Sequence, residues 1–427
     1  MNDDSYTNDL MTCVHCGLCL NACPTYLETG SEADSPRGRI VLMRALHEGR
    51  LSPKDEDLRQ HIDACLGCRA CETACPSAVP YGHLIEVARE RIDNEGDRPI
   101  QETLARKALL GTLTHPSRMA AAMTVAKRVT DGDIPALALK MLSGDSNAKT
   151  QHVQLPDKIN PPLPPAYTPA VGKKRARVGV LAGCVMRVLY GDTNADTVRV
   201  LAANGCEVLV NRRQGCCGAL HAHNGALDEA RGLAKQLIDA FSPMDGLDAI
   251  IVNSAGCGSM MKDYEALLAD DPIYLVKARA FAAKVRDVSE YLDELGWVAP
   301  LQPLSSEPLT MTYHDACHLA HGQGVRDAPR ALLGLIPGAT LVSLKESEIC
   351  CGSAGIYNLT EPEMATRLRE RKIANIRATG ASVVATGNPG CLSWINSGLA
   401  ADSENLIRVA HPVTLLAEAL CPPTHSE

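Results

Sequence analysis

The stretch CVHCGLCLNACP, residues 13–24, decides how this chain is organised, and CLGCRACETACP, residues 65–76, repeats its spacing. Both stretches follow the pattern CxxCxxCxxxCP. Three cysteines separated by pairs of residues form a tight turn that presents thiolates to three corners of a cubane, while the fourth cysteine, before proline, points away. The two runs therefore predict two [4Fe–4S] clusters in an α-helical N-terminal region.

This spacing is typical of two-cluster bacterial ferredoxins, in which the fourth cysteine of each run ligates the other cluster. The rule predicts two sets of ligands: Cys13, Cys16, Cys19 and Cys75 for the first cluster, and Cys65, Cys68, Cys71 and Cys23 for the second. Two zinc sites are the alternative, because CxxC pairs also bind zinc. The repeated four-cysteine run with its proline favours cubanes.

Composition limits the compartment and the kinds of partner. The chain has 427 residues, 18 cysteines and a formal net charge of -8. The acidic balance argues against nucleic acid or an anionic membrane surface as the main partner. The N-terminus, MNDDSYTNDL, lacks the basic start and apolar run of a targeting peptide, and we find no apolar stretch that predicts a transmembrane segment. We therefore expect a cytoplasmic protein with cysteines as metal ligands.

Changes in composition divide the chain into five segments. The second segment lacks cysteine and has helical apolar spacing, and the third carries six prolines that disfavour regular structure. The last two alternate β-rich runs with helical patterns, which predicts parallel sheets flanked by helices. We expect an α+β or α/β multidomain protein with a two-[4Fe–4S] ferredoxin-like domain, a helical connector, a Pro-rich linker and two cysteine-rich α/β repeats, at residues 1–97, 98–142, 143–176, 177–300 and 301–427.

The two C-terminal segments are copies of one unit. Each contains a Cys-Cys-Gly run, and the cysteines recur at offsets of 133 or 134 residues: Cys184 with Cys317, Cys216 with Cys350, Cys217 with Cys351, and Cys257 with Cys391. A period kept at four positions predicts a duplicated domain. Loops that follow parallel strands meet at one edge of the sheet, so we expect each set of four cysteines to converge there.

Three interpretations of these eight cysteines stay open. Four thiolates suffice for a cluster, so the repeats would hold one or two further iron–sulfur clusters. Alternatively the thiols are redox-active, since a vicinal pair forms a useful disulfide poorly. The third interpretation is a relic of folding. Cys206 and Cys421 have no counterpart in the other repeat and are interpreted as ordinary residues.

Ionisable residues beside these motifs suggest local roles. The histidines near Cys317 suit either a proton relay or a turn-stabilising pair with Asp315, and we expect the pair: His314, His318 and His321. His221 and His223, after the first Cys-Cys-Gly, are interpreted in the same way. Three arginines between the cysteine runs are predicted to form a solvated basic face: Arg37, Arg39 and Arg44.

Motifs for a nucleotide or flavin are missing. No GxGxxG run follows a strand, and no GxxxxGK[ST] run occurs. We therefore expect no FAD or NAD on this chain. Cubanes pass single electrons, whereas oxidation of an organic substrate moves two, so we expect a separate flavoprotein to handle the substrate.

The order of parts resembles the glycolate oxidase iron–sulfur subunit family, and the Cys-Cys-Gly (CCG) units are similar to those of heterodisulfide reductases. The stretches that carry the resemblance are CVHCGLCLNACPTYLETGSEADSPRGRI (13–40), CLGCRACETACPSAVPYG (65–82), GCCGALHAHNG (215–225) and ICCGSAGIYN (349–358). Heterodisulfide reductase units end in CxxC, but Met260 and Trp394 stand at the place of that fifth cysteine. This departure argues against the five-cysteine cluster of that family.

The resemblance implies an iron–sulfur electron-transfer subunit of a flavin-dependent 2-hydroxy-acid dehydrogenase. FAD-binding subunits would oxidise glycolate to glyoxylate, and this chain would pass electrons toward a quinone or other membrane electron acceptor. The complex would be cytoplasmic, or peripheral at the inner membrane through its partners. Relatives with the same parts imply two alternatives: the iron–sulfur subunit of a lactate or glycerol-3-phosphate dehydrogenase, and a heterodisulfide-reductase-like thiol/disulfide subunit.

Overall fold

The N-terminal part of the chain is helical, and both cysteine runs begin in loops between its helices. The computed structural model describes residues 3–144, 146, 148–244, 246–400 and 406–421. Pro24 opens its helix at a position where the missing N–H is not needed. The helices are α1 (Asp3–Met11), α2 (Pro24–Thr29), α3 (Pro36–His47), α4 (Glu56–Asp63), α5 (Ala70–Thr73) and α6 (Tyr81–Glu95).

Helices α3, α4 and α6 bury one apolar core between the two cysteine runs. Met43, Ile62 and Leu84, one from each helix, are completely buried in it. Cys65 and Cys71 belong to the same cluster of buried residues. Packing of these helices therefore sets the distance between the runs.

The predicted helical connector forms three helices, α7 (Ile100–Leu113), α8 (Pro116–Val129) and α9 (Ala136–Ser143). A two-residue antiparallel pair, β1 (Asp133–Ile134) and β2 (Gln151–His152), follows α8 and closes the connector. Within the described part of the proline-rich stretch, β3 (Tyr167–Thr168) follows β2 and pairs antiparallel at the edge of the next sheet. Within the described ranges, no helix is both long and apolar enough to cross a membrane.

The first cysteine-rich repeat is a five-stranded sheet with the order β3-β5-β4-β6-β7, in which all pairs except β3–β5 are parallel. The further strands are β4 (Ala176–Val180), β5 (Cys206–Leu209), β6 (Ala249–Val252) and β7 (Val285–Asp287). The helices are α10 (Val185–Leu189), α11 (Gly191–Ala203), α12 (Ala219–Ala222), α13 (Leu227–Phe241), α14 (Ala255–Lys262), α15 (Tyr264–Leu267), α16 (Pro272–Ala282) and α17 (Val288–Leu295).

The second repeat is an all-parallel sheet of β8 (Leu309–Tyr313), β9 (Ala339–Val342), β10 (Val383–Ala385) and β11 (Arg408–Ala410). Its order, β9-β8-β10-β11, matches β5-β4-β6-β7 of the first sheet strand for strand, which confirms the predicted duplication. The sequence analysis missed β7 and β11, which are only three residues long. The helices are α18 (Asp327–Leu333), α19 (Tyr357–Thr360), α20 (Pro362–Ala378), α21 (Pro389–Leu399) and α22 (Pro412–Ala419).

The two repeats share one hydrophobic core, and the N-terminal unit is docked on both. The shared core includes Val198 of α11, Leu292 of α17 and Val413 of α22. Contacts that hold the N-terminal unit include Arg69 Nη1 to Asp263 at 2.5 Å, Tyr357 Oη to the Ala64 carbonyl at 3.0 Å, and Arg371 Nη1 to Glu28 at 2.9 Å. This docking brings the cysteine runs against the repeats.

Asp287 caps α17 while its side chain is buried. Its Oδ1 accepts a hydrogen bond from the Ser289 N–H at 2.8 Å, and Glu290 returns the contact to the Asp287 N–H at 3.0 Å. Glu290 also pairs with Lys262 of α14, the helix that carries Cys257. Burial raises the pKa of Asp287 to about 7. Since the folded state holds this proton, the stability that Asp287 contributes is complete below about pH 4 and is lost as the pH rises through 7.

We expect Asp287→Asn to remove this pH dependence and keep the cap, because asparagine is also a good N-cap residue. Between pH 5 and 7 the wild type should lose up to about 1.4 kcal/mol of stability per pH unit relative to the variant. Anaerobic thermal unfolding of both proteins across this pH range measures the difference. A difference in stability between wild type and variant that stays the same at every pH would contradict this prediction.

Candidate metal centres

The first cysteine run folds into a loop that turns on Gly17. Gly17 has φ +82°, a conformation that favours glycine, and lets the loop close. The loop lies against α3, and a small cavity inside it is lined by Cys71 and by the four cysteines of the first predicted set: Cys13, Cys16, Cys19 and Cys75. Cys16 is exposed and the other three thiols of the predicted set are half-buried. The structure thus brings the first predicted set together at the protein surface.

A second small cavity lies deeper in the N-terminal unit and is lined by Cys23, Cys65, Cys68 and Cys71. The backbone N–H of Gly67 donates to Cys65 Sγ at 3.4 Å, and Tyr81 Oη donates to the same sulfur at 3.6 Å. Four thiols around one space, with donors aimed at sulfur, fit a [4Fe–4S] cluster. The fourth cysteine of each run lies in the other run's cavity, as the spacing rule predicts.

Arg39 corrects the prediction of a solvated basic face on α3. Its side chain is only 1% exposed, whereas Arg37 and Arg44 pair with Glu32 and Glu48 nearer the surface. Arg39 donates from Nη1 to the Asp34 carbonyl at 2.6 Å and from Nε to the His61 carbonyl at 2.6 Å. The sequence did contain a signal, because residues 39, 43 and 46 fall on one face of the helix and the other two are apolar.

The charge of Arg39 acts on the second cavity. Its Nη1 lies 4.0 Å from Cys23 Sγ. Burial by itself would raise the pKa of the Cys65 thiol, but Arg39 and Arg89 bring this pKa below its usual range. A buried cation near thiolates stabilises negative charge at this site, including the charge of an added electron.

In the first repeat, the four cysteines meet at the carboxyl ends of β4, β5 and β6. Cys184 precedes α10, the Cys216–Cys217 pair lies in the loop after β5, and Cys257 is in α14. Cys184 Sγ lies 3.6 Å from Cys216 Sγ. The next residue, Gly218, has φ +85° and packs against Ala230 of α13, where an added Cβ would lie 3.1 Å from the Ala230 carbonyl oxygen. Both its conformation and its packing favour glycine in this Cys-Cys-Gly run.

The second repeat repeats this arrangement, with Cys317 after β8, Cys350 and Cys351 after β9, and Cys391 in α21 after β10. The ligand atoms of Cys351, Cys391 and His314 all lie within 4.8 Å of one another. Gly352 has φ +90°, and an added Cβ would lie 2.5 Å from the Ala365 carbonyl oxygen. The same backbone constraint therefore shapes both repeats.

The two repeats face each other across one cavity of about 320 Å³. Cysteines from both repeats line it, together with Cys65 and with Met119 and Met123 of the connector: Cys184, Cys216, Cys217, Cys257, Cys317, Cys350 and Cys391. The sequence predicted two convergent sets of cysteines but not that both sets would open into the same space.

The histidines near Cys317 do not pair with Asp315, so the predicted His–Asp pair is wrong. Asp315 accepts two hydrogen bonds from Arg330, at 2.7 and 2.6 Å. His318 Nε2 donates to the Gly67 carbonyl at 2.9 Å, and His321 Nδ1 lies 3.0 Å from Thr73 Oγ1. Burial lowers the pKa of His318 to about 3, so its ring is neutral. Both residues connect the second cysteine run to the second repeat.

We expect Arg39→Gln to lower the reduction potential of the second ferredoxin-type site. A unit charge about 8 Å from the centre of the site, at an effective dielectric constant of about 20, favours the addition of an electron by roughly 2 kcal/mol. That energy corresponds to on the order of 50–100 mV for one electron. Redox titration followed by EPR measures the shift, and Arg44→Gln, on the exposed face of the same helix, is the control. Equal potentials in both variants would contradict this role.

Comparison with known proteins agrees with this architecture. Residues 178–262 and 311–396 match the family model of the cysteine-rich CCG domain, and residues 9–79 match that of the 4Fe-4S dicluster domain. A hypothetical protein from Helicobacter pylori has a related structure, with a TM-score of 0.56 over 99% of this chain and 78% of its own, at 8% identity. That likeness concerns the fold alone.

Sequence relatives cover nearly the whole chain. A probable glycolate oxidase iron–sulfur subunit from Bacillus subtilis is 37% identical over 96% of this chain and 94% of its own. The glycolate oxidase iron–sulfur subunit of Escherichia coli is 34% identical over 91% of this chain and 90% of its own. The fold class predicted from the sequence is confirmed, and this chain belongs to the family of glycolate oxidase iron–sulfur subunits.

Proposed function

We propose that this chain is the electron-transfer subunit of a glycolate-oxidising complex. In this proposal, FAD-binding partner subunits convert glycolate to glyoxylate, and the two electrons leave the flavin singly through this chain toward a quinone-type acceptor. The observation that carries the proposal is the order of thiol sites from the surface inward. The complex would work in the cytoplasm and reach the inner membrane through its partners.

The surface site is suited to receive electrons. Cys16 is exposed, and the apolar side chains of Val14 and Leu18 beside it are 67% and 60% exposed. Met11 at the end of α1, just before the first cysteine run, and Val41 on α3 are exposed as well. Apolar side chains gathered around an exposed ligand suit transient docking of a redox partner. We assign the docking of the flavoprotein to this patch of Met11, Val14, Leu18 and Val41.

The inner site is suited to pass electrons to the second repeat. Leu66 and Cys68 belong to the same buried cluster as Cys317 and Cys350. Burial and the neighbouring Cys317 raise the pKa of the Cys68 thiol. The bond from His318 to the Gly67 carbonyl fixes the loop between Cys65 and Cys68 against the second repeat. Protein contacts alone thus hold this site against the next set of thiols.

The chemistry divides between the bound groups and the chain. A [4Fe–4S] cluster supplies one-electron transfer when bound. The chain's residues would hold two clusters through eight thiolates, four for each, bury the inner site and place Arg39 beside it. Each CCG repeat would hold a further iron–sulfur centre on cysteines of its set. A quinone-type acceptor would take the electrons beyond these centres.

A thiol–disulfide redox subunit is the second candidate function. The shared cavity supports it, because seven cysteines of both repeats line a space that has room for a small substrate. Its weakness lies at Met260 and Trp394, which replace the fifth cysteines of the heterodisulfide reductase motif.

We expect Cys68→Ser with Cys71→Ser to lower the iron content by about four atoms per chain, because both thiolates belong to one [4Fe–4S] set. Metal analysis and EPR of the reduced, anaerobically purified protein measure the loss. Cys206→Ser is the matched control, since Cys206 is a fully buried cysteine in β5 outside the four sets. Full iron content in the double variant would overturn the ligand assignment.

Substrate-driven reduction tests the function. In a native preparation with its flavoprotein, we expect glycolate to bleach the cluster absorbance, and D-lactate or glycerol 3-phosphate to do so less. Val14→Glu with Leu18→Glu should slow reduction by glycolate and leave reduction by dithionite unchanged. Leu335→Glu, at an exposed apolar position of the second repeat, is the control.

The outcomes separate the two candidates. Bleaching by glycolate supports electron transfer from a hydroxy-acid flavoprotein. Absence of bleaching by all three substrates, with clusters that dithionite still reduces, would overturn the proposal. In that case, loss of disulfide reduction in Cys217→Ser with Cys351→Ser would support the thiol–disulfide candidate.

A further inference from the structure

His314 is a buried histidine with one ring nitrogen that makes no hydrogen bond. It follows β8 and is completely buried. Its Nδ1 lies 3.0 Å from the Ser347 carbonyl oxygen, which can only accept, so Nδ1 carries the proton. The lone pair is therefore on Nε2, and this atom has no hydrogen-bond partner within the described residues. A buried nitrogen lone pair without a partner is costly unless another group binds it.

The groups around the His314 ring are thiols. A ring nitrogen of His314, Cys351 Sγ and Cys391 Sγ all lie within 4.8 Å of one another, and Nε2 is the nitrogen that the Ser347 carbonyl leaves available for binding. Nitrogen and sulfur ligands bind a metal at about 2.0–2.3 Å, so ligands of one ion lie roughly 3–4.5 Å apart. The carbonyl that holds Nδ1 also accepts the backbone N–H of Asp315 at 3.2 Å, which keeps the ring in place. An oriented imidazole of this kind is typical of metal-bound histidine.

The first repeat has a leucine at the position of His314. His314 precedes Cys317 by three residues, and the residue three before Cys184 is Leu181, which is buried in an apolar cluster. The two sites are therefore not equivalent. At this position the duplication kept the cysteine three residues later but placed histidine in the second copy and leucine in the first.

A buried cation marks the same site. Lys372 of α20 is 2% exposed and its Nζ donates to the carbonyls of Glu346 and Ser347. The two repeats can be aligned at Ala230 and Ala365, on which Gly218 and Gly352 pack. Seven residues after these alanines, the first repeat has Leu237 at the position equivalent to Lys372. A buried ammonium is stable only with negative charge nearby, and a centre held by thiolates supplies that charge.

We propose that His314 Nε2 is a ligand of the iron–sulfur centre in the second repeat, which makes it a mixed Cys/His site beside an all-cysteine site in the first. The inference rests on the proposed function in one respect, that the repeats hold metal centres. Replacement of thiolate by neutral imidazole raises a cluster's reduction potential. The second repeat, which adjoins the inner ferredoxin-type site, would then be the stronger electron acceptor of the two.

Two variants at His314 test the assignment in the full anaerobic chain. His314→Leu reproduces Leu181 of the first repeat, and His314→Cys offers a thiolate in place of the nitrogen. Pulsed EPR at a series of poised potentials, on protein with isotope-labelled histidine, detects a histidine nitrogen bound to a paramagnetic centre. We expect this coupling in the wild type and its loss in both variants. His221→Leu, a buried histidine near Cys216, should keep it.

Iron content and potential provide independent readouts. We expect His314→Leu to lose iron from the second repeat, and His314→Cys to keep the iron at a lower reduction potential. Cys350→Ser with Cys351→Ser shows whether the repeat binds iron at all. If this double variant loses iron but the wild type shows no histidine coupling at any potential, the ligand role of His314 is overturned and the metal centre is not. Unchanged iron content in the double variant overturns the metal centre of the proposed function, and the ligand role with it.

Discussion

The exchange of one cysteine between the two runs is the constraint on which the N-terminal unit depends. Cys23 lies with the cysteines of the second run, and Cys75 with those of the first. Neither site is complete until α3 and α4 have packed and brought the runs together. Cluster binding and folding of this unit are therefore linked, because each cluster holds two distant parts of the chain in place.

Buried cations accompany the thiolates that lie inside the protein. Arg39 contacts the inner ferredoxin-type site, and Lys372 adjoins the cysteines of the second repeat. Both donate to backbone carbonyls, and Arg39 also pairs with the Asp34 carboxylate at 3.5 Å. A buried charge is expensive unless it is compensated, and anionic centres beside these two residues would add to that compensation.

The two CCG repeats share one backbone geometry, but different side chains surround their cysteines. Gly218 and Gly352 adopt the same positive φ against the same alanine position, which explains why both copies keep the Cys-Cys-Gly run. At two positions around the thiols, the first copy has Leu181 and Leu237 whereas the second has His314 and Lys372. The duplication thus produced two sites of the same geometry and different polarity, which open into one cavity.

Local patterns of residues specify the kinds of unit in this protein. Cysteine spacing is local, so the two runs predicted both ferredoxin-type sites and the crossed position of Cys23 and Cys75. The repeat offsets predicted the duplicated sheets and four cysteines at each. Strands β7 and β11 were not predicted, because three residues are too few to show a periodic pattern. The packing of the chain, and not its sequence pattern, determined that Asp315 pairs with Arg330 rather than histidine and that both CCG sites share a cavity with Cys65. Those outcomes depend on which surfaces of separate units pack together, and no local pattern of residues encodes that choice.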